Sequence, residues 1–228
     1  MRAGTAVLGF GLSLLLLGAL ADKVLGTPAL PATTAAAPAV RLTWVDVQGL
    51  ARDVRRGAAA ETATLMKPAG VHVTWQTSDG RPRELAKDEV QVVVAASAPP
   101  SMDRRTMGAA HPRLEGPRSV WVFLSAVRAA LGLDADVRRM LPPADKNRLA
   151  QAVGRVVLHE VVHVLAPWRP HADAGLMCGT LASATLRQPR LRLETDLLAA
   201  IRSAAAGEIV RPVGEAMALV EYERVMVD

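Results

Sequence analysis

Aromatic side chains are almost missing from this chain of 228 residues: four tryptophans, two phenylalanines and one tyrosine. A core without them has to be assembled from valine, leucine and alanine, which favours β-branched strands and alanine-rich helices. Cysteine is scarcer still. Cys178 is the only one, so no intrachain disulfide can form, and an oxidising destination gives the fold no covalent help. Directly after Met177, it is expected to be buried and inert. Runs of like charge are absent as well. The formal net charge is +5, but the arginines are scattered, which fits a solvated basic surface rather than a nucleic-acid site. There is no internal repeat. No apolar run reaches the ~20 residues of a membrane-spanning helix. Half of the residues are nevertheless hydrophobic, enough for one sizeable domain with a real core.

The longest apolar run opens the chain. Arg2 gives it a positive start, residues 6–21 are rich in leucine, and Ala19-Leu20-Ala21 fits a cleavage site with small residues. Residues 1–21 are therefore expected to be a secretory signal, with an uncleaved N-terminal anchor as the alternative; only the anchor would bring the protein to a membrane. No cysteine lies near the cleavage site, which excludes a lipid-anchored one. Residues 22–39, rich in Ala, Thr and Pro, read as a linker. Residues 40–228 form the domain. A secreted, periplasmic or extracellular location follows from this layout.

Within the domain, hydrophobic periodicity marks the elements. Strands are expected at residues 40–45, 71–76, 90–96 and 120–124, with a short one at 106–110. In the second strand Val71, Val73 and Trp75 share a face, which puts His72 on the opposite one. The third, VQVVVAA, is nearly continuous and reads as a central strand buried on both sides. Residues 50–67 read as a helix closed by Pro68 and Gly70, and residues 125–133 as a short helix. Turns are expected at 78–80 and a loop at 111–117. Asp145 is placed to cap a long helix that ends at Ala166, before Pro167. Its back is Val153, Val157, Val161, Val164 and Leu165. Residues 191–204 read as a C-terminal helix with Leu193, Leu197, Leu198 and Ile201 packed inward, and with Glu194 and Asp196 at its start, where carboxylates suit the helix dipole.

Three of the five histidines fall in one short stretch of the long helix and the loop after it. His159, Glu160 and His163 form H-E-x-x-H, a pattern that arises by chance in roughly 0.5% of chains this long. Residues four apart on a helix lie one above the other, so both imidazoles can reach one cation. Glu160 can face the remaining coordination position and take a proton from water there. A catalytic zinc set needs a third protein ligand. His171 lies a short loop beyond the helix, and Asp173 and Glu194 are arguable in its place.

Here the chain resembles the metzincin clan of zinc peptidases, whose pattern is H-E-x-x-H-x-x-G-x-x-H followed by a turn with a methionine beneath the metal. This sequence reads HEVVHVLAPWRPH and then ADAGLM. Ala166 stands at the clan's glycine, and Arg169 at its usual third histidine, so that His171 comes two residues late. The separation of His159 and Met177 is similar to that in matrix-metalloproteinase-type members, and Pro167 is placed to make the turn in the glycine's stead. The resemblance implies an α+β, zincin-like single domain: a mixed twisted sheet with an active-site helix and a C-terminal helix. It implies Zn2+ held by His159, His163 and His171, and Met177 as the Met-turn residue. His171 is preferred as third ligand because it preserves a three-nitrogen set and leads into that turn. The expected activity is that of a secreted zinc-dependent endopeptidase, using a metal-activated water with Glu160 as general base on a peptide or protein substrate extended along the edge strand. The alternative is an inactive zincin-like binding module that keeps a structural zinc.

Overall fold

Alternating side chains build one sheet. Its strands are β1 (Ala39–Val45), β2 (His72–Thr77), β3 (Glu89–Ala95), β4 (Gly108–His111) and β5 (Arg118–Phe123), in the order β2-β1-β3-β5-β4. All neighbours are parallel except β4, which is antiparallel to β5 and lies at the edge. Val40, Leu42 and Trp44 of β1 are buried on one face. In-register rows such as Leu42–Val90 and Val92–Val120 continue that face across the sheet. The computed structural model of the protein describes residues 36–78, 85, 86, 88–111 and 118–208. The proposed signal (1–21) and the turn and loop at 79–80 and 112–117 lie outside them, as does most of the linker; Ala39, its last residue, already opens β1. Among the described residues no helix is long and apolar enough to cross a membrane.

The mixed sheet, the active-site helix and the C-terminal helix have the expected order, but several boundaries differ for local reasons. β3 is central, and Glu89, Val90, Val92 and Val94 are buried, while Gln91, Val93 and Ala95 are half-buried. The helix expected from residue 50 begins later, as α1 (Arg55–Met66). Asp46 holds the preceding turn by accepting the Leu50 and Ala51 amides at 2.9 and 2.8 Å. His72 is exposed, as its face requires. After β5 comes the short α2 (Leu124–Ala130).

The long helix is α3 (Pro143–Leu165). Its cap is Pro142, not Asp145, which sits in the first turn and pairs with Arg148. Proline suits that end because its missing N–H would have no helical partner. From Ala152 to Val164 every residue is buried, so the polar front of the helix lies inside the protein as well as the apolar back. A Cβ at Gly154 would come 2.7 Å from the Ala58 carbonyl of α1, so the two helices cross with little between them. Thr62 Oγ1 lies 3.1 Å from the Gly154 carbonyl across that crossing. Arg155, 1% exposed, donates from Nε to Glu61 of α1 at 2.8 Å and from Nη1 to the Thr185 carbonyl at 2.7 Å. Thr185 belongs to α4 (Ser183–Arg187), a five-residue helix with one buried side chain and so with too little periodicity to be read from the sequence.

The last helix, α5 (Thr195–Ala205), starts four residues later than expected. Leu191 and Leu193 precede it, half-buried and two apart between exposed Arg192 and Glu194, which is the spacing of extended chain. Leu197 and Ile201 carry its buried face, with Leu198 only partly covered.

Candidate metal centre

Helical geometry brings His159 and His163 together, and a turn brings the third imidazole to them. α3 ends at Ala166, whose φ of −129° is open to any residue, so no glycine is needed there. The Ala166 carbonyl then accepts the Arg169 amide at 2.9 Å, with Pro167 as the second residue of the turn. Proline is pre-set for that position. The turn consumes the chain up to Arg169, which pairs with Asp196 of α5 instead of facing the site. His171 arrives two residues later. Its Nε2 lies 3.1 Å from His163 Nε2, which is 3.2 Å from His159 Nε2. The edge of a zinc–nitrogen tetrahedron is about 3.3–3.4 Å for bonds of 2.0–2.1 Å. Two edges of the group are therefore close to that length, and all three ligand atoms lie within 4.8 Å of one another.

The tautomers fit too. His159 Nδ1 lies 2.7 Å from the Leu176 carbonyl, which can only accept, so that nitrogen carries the proton and Nε2 keeps its lone pair. His159 and His163 are buried, at 5% and 8% exposure, while His171 closes the group from the exposed side. Burial, reinforced by the neighbouring imidazoles, pushes His163 down to about 3. His159 is lowered chiefly by burial, against the Leu176 hydrogen bond. Neutral imidazole is the form that binds metal.

Beneath the histidines runs the loop that supplies Leu176. Gly175, at φ +78°, lets the chain reverse, and the Ala172 amide donates to the Met177 carbonyl at 2.8 Å. Met177 is 3% exposed. Cys178 is half-buried rather than buried, with Sγ 3.7 Å from the Asp173 carbonyl. Among the described residues, His159, His163 and His171 are the group able to share a metal ion; neither Asp173 nor Glu194 belongs to it. Asp173 is exposed, and Glu194 is the N-cap residue of α5, its carboxylate lying against Gly175.

Glu160 is 7% exposed and burial pushes its carboxyl up to about 8. It lines a cavity of about 350 Å3 with His159, Val156, Thr106, Gly108 and Thr180. The cavity runs between the edge strand and the segment after Met177. Strand register settles which edge groups face it. The Phe123 amide donates to the Met107 carbonyl at 2.9 Å, and Gly108 stands opposite Val122. Main-chain groups alternate in direction along a strand, so those of Met107 point at β5 and those of Gly108 point to the free edge. The Leu176 carbonyl and the direction of the Gly108 amide escaped the sequence because main-chain groups leave no trace in side-chain identity.

Three imidazole nitrogens on an H-E-x-x-H helix and its following loop, with a buried carboxyl on the same cleft, define a candidate three-histidine metal centre. Two solved structures are similar to the chain. One is a zinc-dependent peptidase from Methanocorpusculum labreanum, at 13% identity and a TM-score of 0.48, covering 71% of this chain and 99% of that one. The other is archaemetzincin from Methanopyrus kandleri, at 12% identity and a TM-score of 0.46, covering 74% and 97%. No family model and no curated protein matches the chain.

Proposed function

We propose that the protein is an exported zinc-dependent endopeptidase. The observation that carries this reading is the convergence of the His159, His163 and His171 Nε2 atoms beside the buried Glu160 carboxyl, on a cavity bounded by a free strand edge. A zinc ion on the three histidines supplies a Lewis acid for the scissile carbonyl, acidifies water and offsets the burial that raises Glu160. The substrate lies extended beside β4, where the amide and carbonyl of Gly108 pair with its main chain. Pairing by main chain fixes the scissile bond without reading side chains. Glu160 takes a proton from the attacking water and delivers it to the leaving amine nitrogen. The Leu176 carbonyl keeps His159 in the tautomer that offers Nε2 inward.

The test is Glu160→Gln. Wild-type protein purified from residue 40 onward should contain zinc and hydrolyse an unfolded protein such as casein. The variant should keep its zinc and fold and lose hydrolysis by a factor of roughly 100 or more, the usual scale of general-base catalysis. Undiminished hydrolysis by the variant removes Glu160 from the mechanism. Zinc without hydrolysis in the wild type leaves a binding module.

A further inference from the structure

The edge strand meets α3 at Gly108. A Cβ built there would come 2.6 Å from Glu160 Oε1, 2.8 Å from Glu160 Cγ and 2.9 Å from Val156 Cγ1. Real Cβ atoms do not sit so near other heavy atoms, so a side chain at 108 must displace something. Its neighbours differ in how easily they yield. Val156 is 1% exposed and packed within the core. The Glu160 carboxyl is the end of a flexible side chain that borders the cavity. The carboxyl is therefore the part that moves, away from the strand and from its place beside His159.

The φ of Gly108 lies outside the left-handed range, and the residue pairs regularly with Val122 inside β4. Nothing in the backbone asks for glycine. In a strand, where glycine costs stability relative to residues with side chains, its presence here has a packing reason. We infer that Gly108 is a positioning residue for the reaction: its missing side chain is the space that seats the Glu160 carboxyl between the edge strand and the metal ligands. This rests on Glu160 acting as the base. It adds that substrate binding and proton transfer share a residue, because Gly108 offers its main chain to the free edge and its vacant side-chain position to Glu160. Alanine at 108 keeps the main chain and fills the vacancy, so the two contributions separate.

The experiment compares wild type, Gly108→Ala, Glu160→Gln and the double variant for zinc content, thermal midpoint, kcat and KM on one peptide. Gly108→Ala should keep zinc and lower kcat roughly 10–100-fold, the scale of a displacement near 1 Å of a catalytic group, with KM within about twofold. In the Glu160→Gln background the same change should cost no further activity. Gly108→Ala/Val156→Ala removes the core contact and leaves the new methyl facing Glu160 alone; it should show the same loss of kcat if the single variant folds poorly. Wild-type kcat in Gly108→Ala overturns the inference while leaving the peptidase reading intact. Loss of zinc from both alanine variants also overturns it, because the glycine then serves the fold. Activity surviving Glu160→Gln defeats the peptidase mechanism itself, a separate outcome.

Discussion

His163 occupies the middle of the histidine group, within 3.2 Å of both neighbours and with its pKa pushed down to about 3 by burial and by the other two rings. A single proton on His163 Nε2 could serve only one of its two neighbours at a time, whereas a shared cation takes a lone pair from all three rings. At this scale the third ligand can be tested against its rivals. His171→Ala should lower zinc affinity by orders of magnitude, because it removes one of three nitrogens. Asp173→Ala and Glu194→Ala should leave it within about tenfold, the lower end of what outer-shell changes cost. Metal titration with a competing chelator reads all three, and a larger loss in either carboxylate variant would remove His171 from the ligand set. H-E-x-x-H was legible in the sequence because its chemistry follows from a spacing of four on a helix. The place of His171 was legible only as one choice among three, because a loop of two prolines and a glycine has no period from which to read direction.

α3 is held at its back by α1 and at its front by the edge strand, and each contact can be tried separately. Arg155 is buried with Glu61 as its charge partner. Glu61→Ala strands that guanidinium and should cost about 3–5 kcal/mol, whereas Arg155→Met, which removes the charge instead, should cost less. Denaturant unfolding of the two variants gives the order; a milder effect from Glu61→Ala would mean the pair is not what joins α1 to α3. At the front, Gly108 turns its main chain to the strand's outer edge and its missing side chain to Glu160. Proline there would remove a main-chain donor, but its ring would also meet Glu160, so alanine is the cleaner probe. The strands themselves were readable from alternation. The start of α1 was not, because Asp46 accepts two amides ahead of the first helical turn and thereby replaces the turn that periodicity implies. The start of α5 was missed because Leu191 and Leu193, in extended spacing, carry apolar residues up to the helix, and so short a run does not show where one period gives way to the other.

For the molecule as a whole, export makes a prediction of its own. The mature protein should begin near Asp22, which mass spectrometry of the N-terminus decides; intact Met1 recovered in a membrane fraction would replace the signal by an anchor. The described part of the chain divides its information in two. Composition and periodicity by themselves determined an α+β domain with a valine-rich core, because burial of alternate or helically spaced side chains is written into the order of residues. The same order determined a candidate metal-binding helix, because two imidazoles and a carboxyl on adjacent turns need no distant partner. Only the tertiary structure decided that Arg169 turns away to Asp196 while His171 turns in, that the Leu176 carbonyl fixes the tautomer of His159, and that Gly108 makes room for Glu160. Each of these joins residues far apart in the chain or depends on the direction of a main-chain group. Neither leaves a periodic signal, so the packing of the folded chain alone sets them.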